Sequence, residues 1–278
     1  MTIKTLWELS RPLNSLITGL TVIVGGILAA NIGTTIVGWT LELAGLSAAL
    51  VAVGGNAIND AYDAAIDHLN RPERPIPSGR IGVDQAFLFG IALMIIGTGL
   101  GFSLSVPLGW IALVVSVLLW GYSAWWKMLP MIGNIVVALC GGLAFIYGAM
   151  AVGNPLNGLI PALFAFLIHL AREIVKDAED ESGDRACKAR TLPIVIGIQS
   201  AQRIAILVLI VLIASTVVPY WIGQLGFGYL TIVMIGVDIP LIIVSIRLWH
   251  TLNRKELGQI SSVLKWIMLI GLVSLYVG

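Results

Sequence analysis

The sequence predicts an all-α protein that crosses a membrane nine times, and three observations carry that prediction. Of its 278 residues 58% are hydrophobic and only 11% charged, and mean hydropathy is +0.96, whereas soluble domains carry about 25% charged residues. Apolar stretches long enough to span a bilayer, about 20 residues each, recur along the whole chain. Lys and Arg gather in alternate connections between those stretches, the sidedness expected of a polytopic protein. Backbone groups in hydrocarbon must be satisfied within their own segment, so each span is a helix.

In chain order the nine spans are expected at residues 13–30, 35–58, 83–104, 108–125, 131–152, 156–174, 201–221, 227–248 and 260–277. Gly, Pro or Asn marks the breaks, at residues 31–33, 106–107, 153–155, 223 and 226. The first run, preceded by Lys4 and Arg11, is longer than a signal-peptide core and is read as a retained span. The first, third, fifth and seventh connections contain no Lys or Arg. The N-terminus and the even connections carry the basic residues, which puts that face and the N-terminus in the cytoplasm of a cell-membrane protein, with the C-terminus outside. Glu42 and Asp238 fall inside spans, where an ionisable group is either functional or a helix-to-helix hydrogen-bonding group. Lys265, just inside the ninth span, is expected to snorkel. Cys140 and Cys187 are too few for a disulfide scaffold. A net charge of +1 gives no reason to expect a nucleic-acid partner. The whole chain, 1–278, reads as one polytopic domain.

The chemistry is concentrated in two acidic stripes. Residues 55–80 read GNAINDAYDAAIDHLNRPERPIPSGR. On a continued helix Asn56, Asn59, Asp60, Asp63 and Asp67 form one polar stripe, at i, i+3, i+4, i+7 and i+11. Residues 176–184 read KDAEDESGD, and Asp177, Asp180 and Asp184 repeat the intervals of Asp60, Asp63 and Asp67. Each stripe ends a span, the second and the sixth, on the cytoplasmic side, and basic residues follow closely: Arg71, Arg74 and Arg80, then Arg185, Lys188 and Arg190. Mg2+ prefers oxygen ligands, usually one or two carboxylates together with substrate phosphates. Two facing Asp clusters would hold such ions across a cavity, and the nearby cations would complete a clamp for a diphosphate. At the membrane end of a helix bundle, a lipid-tailed diphosphate fits. Two other readings compete: a pair of solvated acidic loops, and a cation-coupled transporter using Asp60, Asp63, Asp177 and Asp180, although transporter sites usually lie near the midplane.

The paired patterns, with NRPERPIPSGR after the first, resemble the two aspartate motifs of the UbiA-type intramembrane prenyltransferases. Two smaller signatures agree: Arg11-Pro12-x-Asn14 before the first span, and Tyr122-Ser123 with Lys127 and Gly133-Asn134. The resemblance implies nine helices around a central cavity, cytoplasmic cap loops after helices 2 and 6, Mg2+ dependence and transfer of a prenyl chain from its diphosphate. It implies Asn59, Asp63, Asp67, Asp180 and Asp184 as principal metal and diphosphate ligands, with Asp60 and Asp177 supporting. Arg71, Arg74, Lys127, Arg172 and Lys176 would bind or position phosphate, Tyr122 would face the reacting end, and Arg11 and Asn14 would support the cluster. The second motif, from Arg172 to Asp184 and then Thr191-Leu192-Pro193, is similar to the archaeal-type members that prenylate geranylgeranylglyceryl phosphate. Within the family an aromatic or chlorophyllide acceptor is the alternative to a lipid phosphate. Lys176 stands where the first motif has Asn59, so the two half-sites are expected to be inequivalent. His169 and the pair Gly141–Gly142 read first as helix-packing groups, Trp125 and Trp126 as interfacial anchors, Tyr147 as a second tyrosine near the reacting end, and His68 and His250 as loop residues.

Overall fold

A computed structural model describes residues 2–30 and 39–277. Among the described residues, nine helical segments are long and apolar enough to cross a membrane, and the regular structure is helical throughout. The protein is therefore a multi-pass membrane protein of the all-α class. The expected break at 31–33 and the expected start of the second span at residue 35 lie outside the described residues.

The chain divides into two compact units, residues 1–127 with 143–158, and residues 128–142 with 159–278. In the first unit, α1 (Ile3–Ser10) leads through Arg11 into α2 (Pro12–Ala29). Then follow α3 (Thr40–Tyr62), α4 (Ala64–Asn70), α5 (Val83–Leu104) and α6 (Val106–Ala124). Helix α3 packs against α2, α5 and α6. The α3–α5 contact depends on missing side chains: a Cβ on Gly54 would come 2.6 Å from the Gly90 carbonyl, and one on Gly90 2.8 Å from the Gly54 carbonyl. Small residues facing each other let membrane helices approach through their backbones. Residues 106–107 were expected to break the chain between spans. Instead they open α6, with Ser105 accepting from the Leu108 N–H at 3.3 Å and proline in the first turn, where its missing N–H costs nothing.

Helix α7 (Ile132–Ala151) contributes its first residues to the second unit and the remainder to the first. The second unit continues with α8 (Leu159–Ala186), α9 (Leu192–Ile196), α10 (Ile198–Thr216), α11 (Val218–Trp221), α12 (Phe227–Val233), α13 (Ile239–His250) and α14 (Arg254–Val277). Helix α8 packs on α9, α10 and α14. The sixth span was drawn to residue 174 with the second acidic stripe at the end of its helix, and the helix runs unbroken through that motif to Ala186. At 1.5 Å per residue a helix of 28 residues is about 42 Å long, against about 30 Å of hydrocarbon. Packing sustains the extension, with Ala178 and Gly183 buried, and Arg185 pairs with Glu181 one turn back at 2.8 Å. A left-handed Lys188 (φ 60) ends it, with Ala189 N–H returning to the Asp184 carbonyl at 2.9 Å and Lys188 N–H to Arg185 at 3.1 Å.

The three ionisable residues drawn inside spans also find their places. Glu42 lies within the second span helix, exposed in the first turn of α3, where a negative charge favours the helix N-terminus. Lys265 lies midway along α14 rather than at its edge. Asp238 closes a π-helical turn, residues 234–238, between α12 and α13. It is buried and 3.1 Å from the Thr216 hydroxyl of α10, the helix-to-helix contact that was one of its two readings.

Candidate active site

In the first unit the acidic stripe straddles a local kink. Helix α3 ends at Tyr62 and α4 begins at Ala64, with Asp63 (φ −84, ψ 1) between them. The helical ladder nevertheless carries through: Asp63 N–H reaches the Asn59 carbonyl at 2.9 Å, and Asp67 N–H reaches the Asp63 carbonyl at 2.8 Å. The side chains therefore keep helical spacing. Asn59 Nδ2 donates to Asp63 Oδ2 at 2.7 Å, and Lys127 Nζ, just after α6, reaches Asp63 Oδ1 at 2.6 Å. The same ammonium sits 5.9 Å from the Tyr62 ring centroid, within cation–π range. Asp60 and Asp67 are both buried, and Arg74 joins them, with Nη1 2.6 Å from Asp67 Oδ2 and 3.3 Å from Asp60 Oδ1. Arg11 also bonds Asp60. It does so from a left-handed backbone (φ 44) at the joint between α1 and α2, a conformation that costs a non-glycine residue of order 1 kcal/mol or more.

The basic stretch after α4 folds back onto the unit. Arg80 bonds Glu8 at 2.5 Å and the Glu73 carbonyl at 2.6 Å. Ile76 and Ile81 are buried with Leu9, Ala57, Ala61 and Ala86. This packing aims Arg74 at the carboxylates. Burial pushes the Asp67 carboxyl above its ordinary range, and the adjacent Arg74 only partly offsets this. Burial opposes the Arg74 charge, but Asp60 and Asp67 outweigh it and raise its pKa.

In the second unit, Asp177 accepts from the buried Asn134 of α7 at 2.8 Å. Asp180 lies 4.0 Å from Arg254 at the start of α14. Asp184 sits on the last turns of α8. Arg172 and Lys176 both bond Glu173, at 2.9 and 3.2 Å. His169 lies with its ring against the Gly141 backbone, where a Cβ would come 2.8 Å from Nε2. Gly141 and Gly142 thus serve helix packing.

Residues 18–269 match the UbiA prenyltransferase family. The chain belongs to the UbiA prenyltransferase family. It is 37% identical over 270 residues to the digeranylgeranylglyceryl phosphate synthase of Methanopyrus kandleri, covering 96% of each chain. It is 35% identical to the synthase of that name from Thermococcus kodakarensis, covering 99% of this chain and 97% of the other. A solved digeranylgeranylglyceryl phosphate synthase structure superposes with TM-score 0.79 at 31% identity, covering 99% of this chain and 98% of that one. The fold is shared with a UbiA homologue from Archaeoglobus fulgidus solved with DMAPP and Mg2+, with TM-score 0.66 at 18% identity and coverage of 96% and 99%. The protein is accordingly an enzyme, a prenyltransferase, and the transporter reading is set aside.

For this UbiA member the structure joins Arg11, Asp60, Asp67 and Arg74 in one network, and Asn59, Asp63 and Lys127 in another. Asn14 stands in the first turn of α2, Arg71 ends α4, and Tyr122 lies near the end of α6. Tyr147 departs from expectation. It is buried among Val22, Ala44, Leu108 and Ala112, and its hydroxyl is 2.9 Å from Ser47. Ser47 is three turns before Asn59, about 18 Å along α3. Sequence reasoning passed over Tyr62, Asn134 and Glu173 as site residues. Asn134 stood in a quoted signature, but nothing in the sequence singled out Glu173.

The donor set suits a hard cation. Among the described residues no three His, Cys, Asp or Glu side chains already form a metal cage. Asn59 Oδ1, however, is shut off from water and has no partner, and the same amide's Nδ2 donates to a carboxylate oxygen of Asp63. An oxygen set with one or two carboxylates per ion, completed by substrate phosphate, is the form Mg2+ takes.

Proposed function

We propose that this enzyme joins a geranylgeranyl group from geranylgeranyl diphosphate to geranylgeranylglyceryl phosphate, forming the second ether bond of an archaeal-type membrane lipid. The observation that carries the acceptor assignment is the 37% identity, with 96% of each chain covered, to a digeranylgeranylglyceryl phosphate synthase. The whole chain acts as one polytopic domain of the cell membrane, with its N-terminus and acidic motifs on the cytoplasmic side and its C-terminus outside.

Asn59, Asp63, Asp67, Asp180 and Asp184 hold Mg2+ in this reading, with Asp60 and Asp177 supporting. When bound, Mg2+ neutralises the departing diphosphate and so lowers the barrier to its release. Lys127, Arg71, Arg172 and Lys176 bind phosphate oxygens as charge-assisted donors. Arg74 and Arg11 fix Asp60 and Asp67, while Asn14 and Tyr122 line the substrate end. The C1–O bond of the allylic diphosphate breaks, the sn-2 hydroxyl oxygen of the acceptor bonds to C1, and its proton passes to the released diphosphate.

The direct test supplies purified protein with both lipids and Mg2+, and analyses the product by mass. A diether phosphate that forms with Mg2+ and not with EDTA is the expected result. Unimpaired turnover in EDTA refutes the metal role. Prenylation of aromatic acids but not of the glycerol lipid refutes the acceptor.

A further inference from the structure

The mechanism above leaves Glu173 unused. Its side chain is only 6% exposed, and both its oxygens are occupied: Oε1 accepts from Arg172 Nη1 at 2.9 Å, and Oε2 from Lys176 Nζ at 3.2 Å. A buried carboxylate saturated by two protein cations is poorly placed to ligate a metal. It is well placed to fix where those two cations stand.

The Lys176 contact is an ordinary i, i+3 pair, but the Arg172 contact is not. Adjacent residues on a helix do not face each other, so the guanidinium must fold around to reach its neighbour. Among these three side chains the cations outnumber the carboxylate by one, and the Asp177 carboxyl, next in the chain to Lys176, also lies within electrostatic reach of Glu173 and Lys176. Arg172 Nε is closed to water and unpartnered, so an anion would be met by the guanidinium's outer nitrogens and the Lys176 ammonium, whose side chains are 21% and 31% exposed. A planar guanidinium beside an ammonium is phosphate-recognition chemistry.

We propose that Glu173 is a positioning residue that holds Arg172 and Lys176 as a two-pronged clamp for a substrate phosphate. This rests on the reading of the protein as a transferase of phosphate-bearing substrates. The phosphate is either the donor's diphosphate or the acceptor's monoester, and kinetics separate the two.

Glu173→Gln keeps the shape of the side chain and removes its charge. The expected result is a roughly tenfold rise in KM for one substrate, with kcat within threefold and the other KM unchanged. The substrate affected identifies the phosphate that is held. In an Arg172→Ala/Lys176→Ala background, Glu173→Gln should add nothing to KM, because it acts only through those cations. Arg172→Lys, which keeps charge but loses the fork, should raise the same KM even if Glu173→Gln folds poorly. Calorimetry with inorganic diphosphate and with inorganic phosphate reads the clamp without turnover. Tenfold weaker binding of either in Glu173→Gln supports the clamp whatever acceptor the enzyme uses. Unchanged binding of both overturns it even if the diether product forms. Unmoved KM values in Glu173→Gln or Arg172→Lys, or an equal effect of Glu173→Gln with and without the two cations, also overturn it.

Discussion

Arg74 is the side chain whose loss should be felt most in the first unit. It is 19% exposed and stands 2.6 Å from Asp67 and 3.3 Å from Asp60, whose side chains are 5% and 6% exposed. Removing one partner of a buried pair costs about 3–5 kcal/mol, because the other charge is left uncompensated. Arg74 retains some water and Asp60 keeps Arg11, so Arg74→Ala should cost about 2–3 kcal/mol, below that range. At about 2–4 °C per kcal/mol, the midpoint should fall by roughly 5–10 °C. Thermal unfolding of the detergent-solubilised protein, followed by fluorescence of its nine tryptophans, measures this. The decisive comparison is the double variant: Arg74→Ala with Asp67→Asn should recover most of the loss, since the stranded charge is gone. Arg80→Ala is the control. Its pair with Glu8 is about one-third exposed on both sides, so the shift should stay under about 1 kcal/mol. An Arg74→Ala midpoint equal to wild type, or a double variant no better than the single, refutes the reasoning.

Asp63→Ala and Asp180→Ala should each lower turnover by at least about a hundredfold while leaving circular dichroism and elution volume unchanged, and near-normal turnover in either refutes the ligand assignment. Gly90→Ala should destabilise the first unit by about 1–3 kcal/mol, read as a lower midpoint, because its Cβ would meet Ile58 Cγ1 at 2.7 Å and the Gly54 carbonyl at 2.8 Å. Tyr147→Phe removes the 2.9 Å contact with Ser47 and should cost about 1 kcal/mol, with turnover within twofold of wild type.

The span count was legible because hydrocarbon imposes it: a segment must be long, apolar and helical to cross. The acidic motifs were legible because carboxylates at helical spacing on the ends of spans are costly unless used. Helix ends were not legible. Hydropathy stops at Ile174, where polar residues begin, but α8 continues through three Asp, a Ser and a Gly because Ala178 and Gly183 are buried by packing and an i, i+4 ion pair supports the helix. Tertiary partners were also hidden. Tyr147 and Tyr122 look alike in sequence, yet contacts made across about a hundred residues bury Tyr147 against Ser47. Glu173 stayed unremarked because a single glutamate beside arginine and lysine carries no spacing signal, whereas its 6% exposure is a property of packing alone.

The two acidic motifs show how far equal spacing can mislead about equal chemistry. Asn59 and Lys176 each precede the first Asp of their motif, yet their side chains run in opposite directions along the helix. Asn59 reaches forward to Asp63 at 2.7 Å, while Lys176 reaches back to Glu173 at 3.2 Å. Asp60 and Asp63 contact arginine or lysine, whereas Asp177 contacts the amide of Asn134. Asp63 pairs with Lys127 at 2.6 Å with both side chains under 20% exposed, while Asp180 is 4.0 Å from an Arg254 that is 54% exposed. Asp63→Asn should therefore lower stability measurably, because a half-buried ammonium loses its counter-charge, whereas Asp180→Asn should change stability by less than about 1 kcal/mol. If both lower turnover alike while only the first lowers the unfolding midpoint, the motifs share a reaction but not a scaffold. One is held by its own cations, while the other meets a neutral amide at Asp177 and a half-exposed arginine at Asp180.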